Sequence, residues 1–111
     1  MTPDSFRKLA LGLPDAIESA HMGHPDFRVG GKIFATLGYP REGFAALMLT
    51  PEDQAAFVKM HPQAFAPVKN KWGEQGATNV NLRQARVGQV SPAIEAAYET
   101  RRARSRKKGR T

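Results

Sequence analysis

Cysteine is absent from the 111 residues. Disulfides, thiolate nucleophiles, iron–sulfur clusters and thiolate zinc sites are therefore excluded, and the chain suits a reducing compartment. Long apolar runs are also missing. Nothing approaches the roughly 20 residues that span a bilayer, and the one basic-then-apolar start, Arg7-Lys8 before "LALGL", is too short for a signal peptide. A soluble, unprocessed, cytoplasmic protein is expected. Large residues are few, with six phenylalanines, two tyrosines and one tryptophan. At this length, 41% hydrophobic residues fill one modest core and leave none for a second.

Acidic residues are missing from one place in particular. Residues 101–110, "RRARSRKKGR", hold seven of the 17 Lys and Arg and no Asp or Glu, so the net charge of +7 is a property of the tail. Residues 1–100 carry ten basic and ten acidic side chains and are formally neutral. The expected organisation is a single domain over 1–100 and a basic tail over 101–111, disordered or a frayed helix.

Three stretches, "TPDS" at 2–5, "TPED" at 50–53 and "SPAI" at 91–94, place a hydroxyl residue before proline. The hydroxyl caps an orphan N–H and proline has none to lose, so each predicts a helix start. The first helix is expected over Pro3–Leu11, burying Phe6, Leu9, Ala10 and Leu13. The second runs from Pro51 to about His61, burying Phe57 and Met60. The third starts near Ser91 and buries Ile94, Ala97 and Tyr98, its core contact ending there. Between them the period changes to two. "KIFATL" alternates Ile33, Ala35 and Leu37 against Lys32, Phe34 and Thr36, and "FAALMLT" is apolar on both faces. Val29-Gly30-Gly31-Lys32 reads as a two-residue hairpin of type I′ or II′. "IESAHM", "FAPV" and "TNVNL" supply further short strands. The fold class is α+β, an antiparallel sheet with N- and C-terminal helices packed on one face.

Candidate sites are sparse. His21, His24 and Asp26 could ligate a metal, but Gly23 and Pro25 argue against a helix between them and no further strong ligand is near, so no metal is expected. "RVGGK" could cradle a phosphate; it lacks P-loop spacing and precedes a strand, which favours the hairpin. Glu18 and Asp26 are the one suggestive carboxylate pair, and both are expected at strand ends facing water. Ser5, Ser19, Ser91 and Ser105 have no nucleophile-elbow context. Trp72, between Lys71 and Gly73, could stack on a base or close the core edge, and the scarcity of large residues favours the core.

"LPDAIESAHMGHPDFRVGGKIFATL", an apolar strand, "TPEDQAAFVKMHPQAF", a Trp-Gly loop and a final helix with "AAY" resemble the MmcQ/YjbR-like family of small bacterial proteins over about residues 8–100. The most specific part is His24-Pro25-Asp26-Phe27-Arg28 with Gly31-Lys32-Ile33-Phe34. The resemblance implies a CyaY-like, frataxin-like two-layer sandwich and DNA binding by a double wing of strands and loops. On that pattern Arg28 and Lys32 flank one wing turn and Arg41 lies on the next loop. Two departures stand out. Ala77 in "GATNVNL" occupies a place where relatives carry a second aromatic, and the tail extends past the family pattern. Frataxin-type iron handling needs an acidic ridge on the first helix; here Asp4 lies beside Arg7 and Lys8.

The sequence thus predicts a monomeric, non-enzymatic protein without cofactor, binding double-stranded DNA weakly and with little sequence preference through phosphate. The contacts would be Arg28, Lys32, Arg41, Lys69, Lys71 and the tail residues Arg101, Arg102, Arg104, Arg106, Lys107 and Lys108. The alternative is a protein-interaction or small-ligand module, using the concave surface near Trp72, with a solubilising tail.

Overall fold

The computed structural model describes residues 1–110, with side chains through Ala103. In chain order the elements are α1 (Pro3–Leu11), β1 (Ile17–His21), β2 (His24–Val29), β3 (Lys32–Leu37), β4 (Phe44–Met48), α2 (Pro51–Met60), β5 (Phe65–Pro67), α3 (Lys71–Glu74), β6 (Ala77–Asn81) and α4 (Val87–Arg110). The strands form one antiparallel sheet in the order β1-β2-β3-β4-β6-β5. The α+β class read from the sequence holds.

Two of the three predicted starts are built as expected. Thr2 Oγ1 accepts from the Ser5 N–H at 3.0 Å, and Thr50 Oγ1 from the Asp53 N–H at 3.1 Å, each ahead of a proline at the first helical position. The third start is a turn earlier than expected. Helix α4 begins at Val87, where Gln89 Oε1 accepts from the Arg86 N–H at 3.0 Å, half of a capping box, and Pro92 lies inside the helix. The fourth residue before it is Gly88, which has no side chain and open space around it.

One face of the sheet carries the core. Helix α1 meets it through Phe6 against Phe27, ring centroids 6.1 Å apart, and α4 through Tyr98 edge-on to Phe34 at 5.6 Å. Tyr98 Oη also donates to the Pro14 carbonyl at 2.6 Å, tying α4 to the connection after α1. Helix α2 lies chiefly over the short edge strand, Phe57 packing on Phe65 at 5.7 Å. With three residues of strand beneath it, α2 has little to bury: Met60, expected in the core, is 59% exposed. The contact of α4 with the sheet also extends a turn past Tyr98, because Arg101 Nε donates to the Ile33 carbonyl at 3.0 Å.

Strand β3 departs from strict alternation. Phe27 pairs with Ala35 but Arg28 pairs with Ile33, so Phe34 is an extra residue in a β-bulge. The bulge sends Phe34, expected on the polar side, into the core, where it is fully buried. It sends Ile33 to the opposite face. The Gly30-Gly31 turn has φ of 58° and 78°, both positive, as a type I′ hairpin requires.

Candidate nucleic-acid interface

The face of the sheet away from α1 and α4 is covered only in part, by α3. Cross-strand register places His21, His24, Asp26, Arg28, Ile33, Thr36, Ala46 and Asn79 on it. Its concave part, about 450 Å³, is lined by Arg28, Gly31, Lys32, Ile33, Arg101, His21, Thr36, Met48, Trp72 and their neighbours. A smaller hollow of about 210 Å³ shares His21, Thr36, Met48 and Trp72 and adds His24 and Tyr39. Beyond Tyr39 lies a third concavity, about 560 Å³, bordered by Arg41, Lys69 and Asn79.

Asp26 is fully buried, against the expectation that it faces water. Its carboxylate accepts from Arg28 Nε at 2.8 Å and Arg28 Nη2 at 3.0 Å, and lies 2.8 Å from His21 Nδ1. Hydrogen bonding to Arg28 is the largest influence and holds the carboxyl below its ordinary pKa; burial opposes this, and His21 adds to it. An ionised carboxylate only accepts, so Nδ1 of His21 carries a proton and donates to it. The same bonds raise the Arg28 pKa. Arg28 therefore serves the sheet as well as the surface, its side chain 30% exposed. Glu18, the other half of the suggested carboxylate pair, instead receives Arg7 Nε at 2.9 Å and is exposed.

Trp72 is 54% exposed, not in the core. The turn that presents it is seated firmly. Asn70 Oδ1 accepts from the Trp72 N–H at 2.8 Å, and Gln54 Nε2 donates to the carbonyls of Gly73 and Ala77, both at 2.9 Å. Gly73 lies so close to Val68 that a Cβ there would fall 1.7 Å from its carbonyl oxygen. With the turn fastened on three sides, the indole has nowhere inward to go. Tyr39 stands beside it at 6.2 Å, His24 is edge-on to Tyr39 at 6.4 Å, and His21 is 6.4 Å from His24. Four rings thus cross the open face from the β1–β2 hairpin to α3. The aromatic neighbour of Trp72 is Tyr39, in the loop between β3 and β4.

The predicted cations divide. Arg28, Lys32 and Arg101 gather at one end of the groove, and Arg41 and Lys69 at the other, Arg41 lying 4.6 Å over the Phe44 ring. Lys71 is exposed on α3 and lines neither concavity. Arg102 turns back along α4, 3.6 Å from Glu99 and 5.9 Å over the Tyr98 ring. The side chains of Arg104, Arg106, Lys107 and Lys108 lie outside the described residues. Among the described residues no three His, Asp or Glu side chains come together as a metal site, and no helix is long and apolar enough to cross a membrane.

The family model for YjbR matches residues 11–100. The chain belongs to the YjbR family. Two solved structures share the fold of this YjbR protein at low identity. One is the Deinococcus radiodurans protein DR2400, with a DUF419 domain: TM-score 0.69, 19% identity, 94% of this chain and 87% of that chain covered. The other is a structural-genomics target from Pseudomonas syringae: TM-score 0.69, 17% identity, 92% and 100% covered. No curated protein matches. In the YjbR chain the stretch "HPDFR" supplies Asp26 and Arg28, an ion pair on the open face, together with the core residue Phe27.

Proposed function

We propose that this protein is a non-enzymatic nucleic-acid-binding protein that uses its open sheet face, with phosphate contacts at both ends of the groove and the exposed ring of Trp72 between them. The observation that carries the reading is the division of cations on one face: Arg28, Lys32 and Arg101 on one side of Trp72 and Tyr39, Arg41 and Lys69 on the other, although residues 1–100 are formally neutral as a whole. A polyanion laid across that face meets positive charge twice and an aromatic surface once. On this reading the Gly30-Gly31 hairpin and the 38–43 loop act as the two wings. Such binding is weak, salt-sensitive and nearly indifferent to sequence, because phosphate carries no base information.

Titration of duplex DNA at several salt concentrations tests this. Log affinity should fall linearly against log salt, with about 0.9 in slope for each neutralised phosphate. Charge reversal of Lys32 and of Lys69 should each weaken binding and flatten the slope. Affinity and slope unchanged in both variants would reject the open face as the interface.

A further inference from the structure

Thr36 carries an observation that phosphate binding leaves unused. It is 94% buried, its hydroxyl has no hydrogen-bond partner among the described residues, and it lines both hollows beside Trp72. Buried hydroxyls are ordinarily paired, and an unpaired one in the floor of a cleft marks a place for a ligand's polar group. The cleft's volume, about 450 Å³, falls in the range of small-molecule sites, about 300–1,000 Å³. Its walls differ in chemistry. Lys32 and Arg101 stand at one end, while Met48 and the exposed indole of Trp72 form an apolar and aromatic wall.

We infer that the cleft between the β2–β3 hairpin and α3 is a single-nucleotide site: a planar base lies against Trp72, its phosphate faces Lys32 and Arg101, and Thr36 bonds a polar edge. A cation at one end suits a phosphate, a flat indole suits a base, and neither alone would use the Thr36 hydroxyl. The Asp26-held His21 borders the same space and adds a polar side chain to its wall. The inference deepens the nucleic-acid reading and rests on it in part. The same chemistry is offered by a free nucleoside monophosphate and by an unpaired nucleotide in a strand.

Trp72 is the sole tryptophan, so its fluorescence reports occupancy directly. The full-length protein is titrated with adenosine 5′-monophosphate, adenosine and ribose 5-phosphate, then with blunt duplex and with the same duplex bearing a single-stranded overhang. The monophosphate should give saturable quenching, at least tenfold tighter than adenosine, and ribose 5-phosphate should leave the emission unquenched. Thr36→Val should fold at least as stably as the parent, since the lost hydroxyl has no partner, yet bind the monophosphate about fivefold more weakly, the worth of one neutral hydrogen bond. Preference for the overhang assigns the site to a strand; monophosphate binding without that preference assigns it to the free nucleotide. Equal affinity for monophosphate and adenosine, no saturable response, or a Thr36→Val variant that binds as well as the parent overturns the inference. Salt-dependent duplex binding that persists in any of those cases would leave the broader reading standing.

Discussion

Asp26 and Arg28, two residues apart on β2, face each other through two hydrogen bonds of 2.8 and 3.0 Å, with the carboxylate fully buried and the guanidinium reaching the surface. The pair makes Arg28 a poor candidate for simple charge deletion, because its removal strands a buried negative charge. Asp26→Asn keeps the shape and removes the charge. It should cost about 1.5–3 kcal/mol, the range for hydrogen bonds to charged groups, measured by urea unfolding at pH 7.

The same carboxylate sets an acid limit. Its folded pKa lies below the ordinary value, so the group contributes stability above its unfolded pKa, about 3.9, and loses it as pH falls through the folded value. The parent should therefore lose stability below about pH 4 more steeply than Asp26→Asn. Parallel melting curves for the two from pH 5 to pH 2 would contradict this.

The bulge in β3 reverses the ranking that alternation assigns to two neighbours. Phe34 is fully buried against Tyr98, whereas Ile33 borders the open groove. Phe34→Ala should cost about 3–5 kcal/mol, as for other buried aromatics. Ile33→Ala should cost much less. Comparable losses in chemical denaturation would mean that the register does not shift between Phe27 and Arg28.

Three glycines separate steric from conformational demands. At Gly31 φ is +78° and a Cβ would meet nothing within 4 Å, so Gly31→Ala adds only left-handed strain, about 1–2 kcal/mol. At Gly73 the obstacle is the Val68 carbonyl, and at Gly76 a Cβ would lie 2.0 Å from the Leu49 carbonyl oxygen with φ at +114°. Both substitutions should destabilise more than Gly31→Ala does. Gly73→Ala should also shift Trp72 emission, because the turn under the indole must move.

What was legible in the sequence follows from the range over which each signal acts. Thr2, Thr50 and the Gly30-Gly31 pair specify local geometry through their own hydroxyls and φ angles, and the structure uses them as read. The bulge at Phe34 is matched by a core partner, Tyr98, 64 residues further along the chain, so it left no mark in "KIFATL". Trp72 misled for a related reason. Its exposure depends on Gly73 packing on Val68 and on Gln54 reaching across to Gly73 and Ala77, contacts that composition does not encode. Asp26 also required a fold, since a carboxylate near a turn looks solvated until Arg28 and His21 close over it. Of the candidate site, the cations at Arg28, Lys32, Arg41 and Lys69 were readable from charge. Tyr39 and Thr36 were not: one sits in a loop 33 residues from Trp72, and the other reads as an ordinary strand threonine.

Arg101 and Arg102 are neighbours with opposite placements, which turns the first turn of the basic run into a controlled comparison. Arg101 Nε is anchored to the Ile33 carbonyl, so its guanidinium is held at the cationic end of the groove beside Lys32. Arg102 lies along α4 with Glu99 and Tyr98. If the open face binds nucleic acid, Arg101→Ala should weaken duplex binding several-fold and lower the salt slope by about 0.9, one phosphate contact. Arg102→Ala, which removes the same formal charge one residue away, should change both far less. Equal effects from the two would mean that only the net charge of the tail matters. Deleting residues 104–111 while retaining both arginines separates the remaining contribution. A further fall in slope after that deletion counts the tail's own phosphate contacts, and an unchanged slope confines binding to the groove.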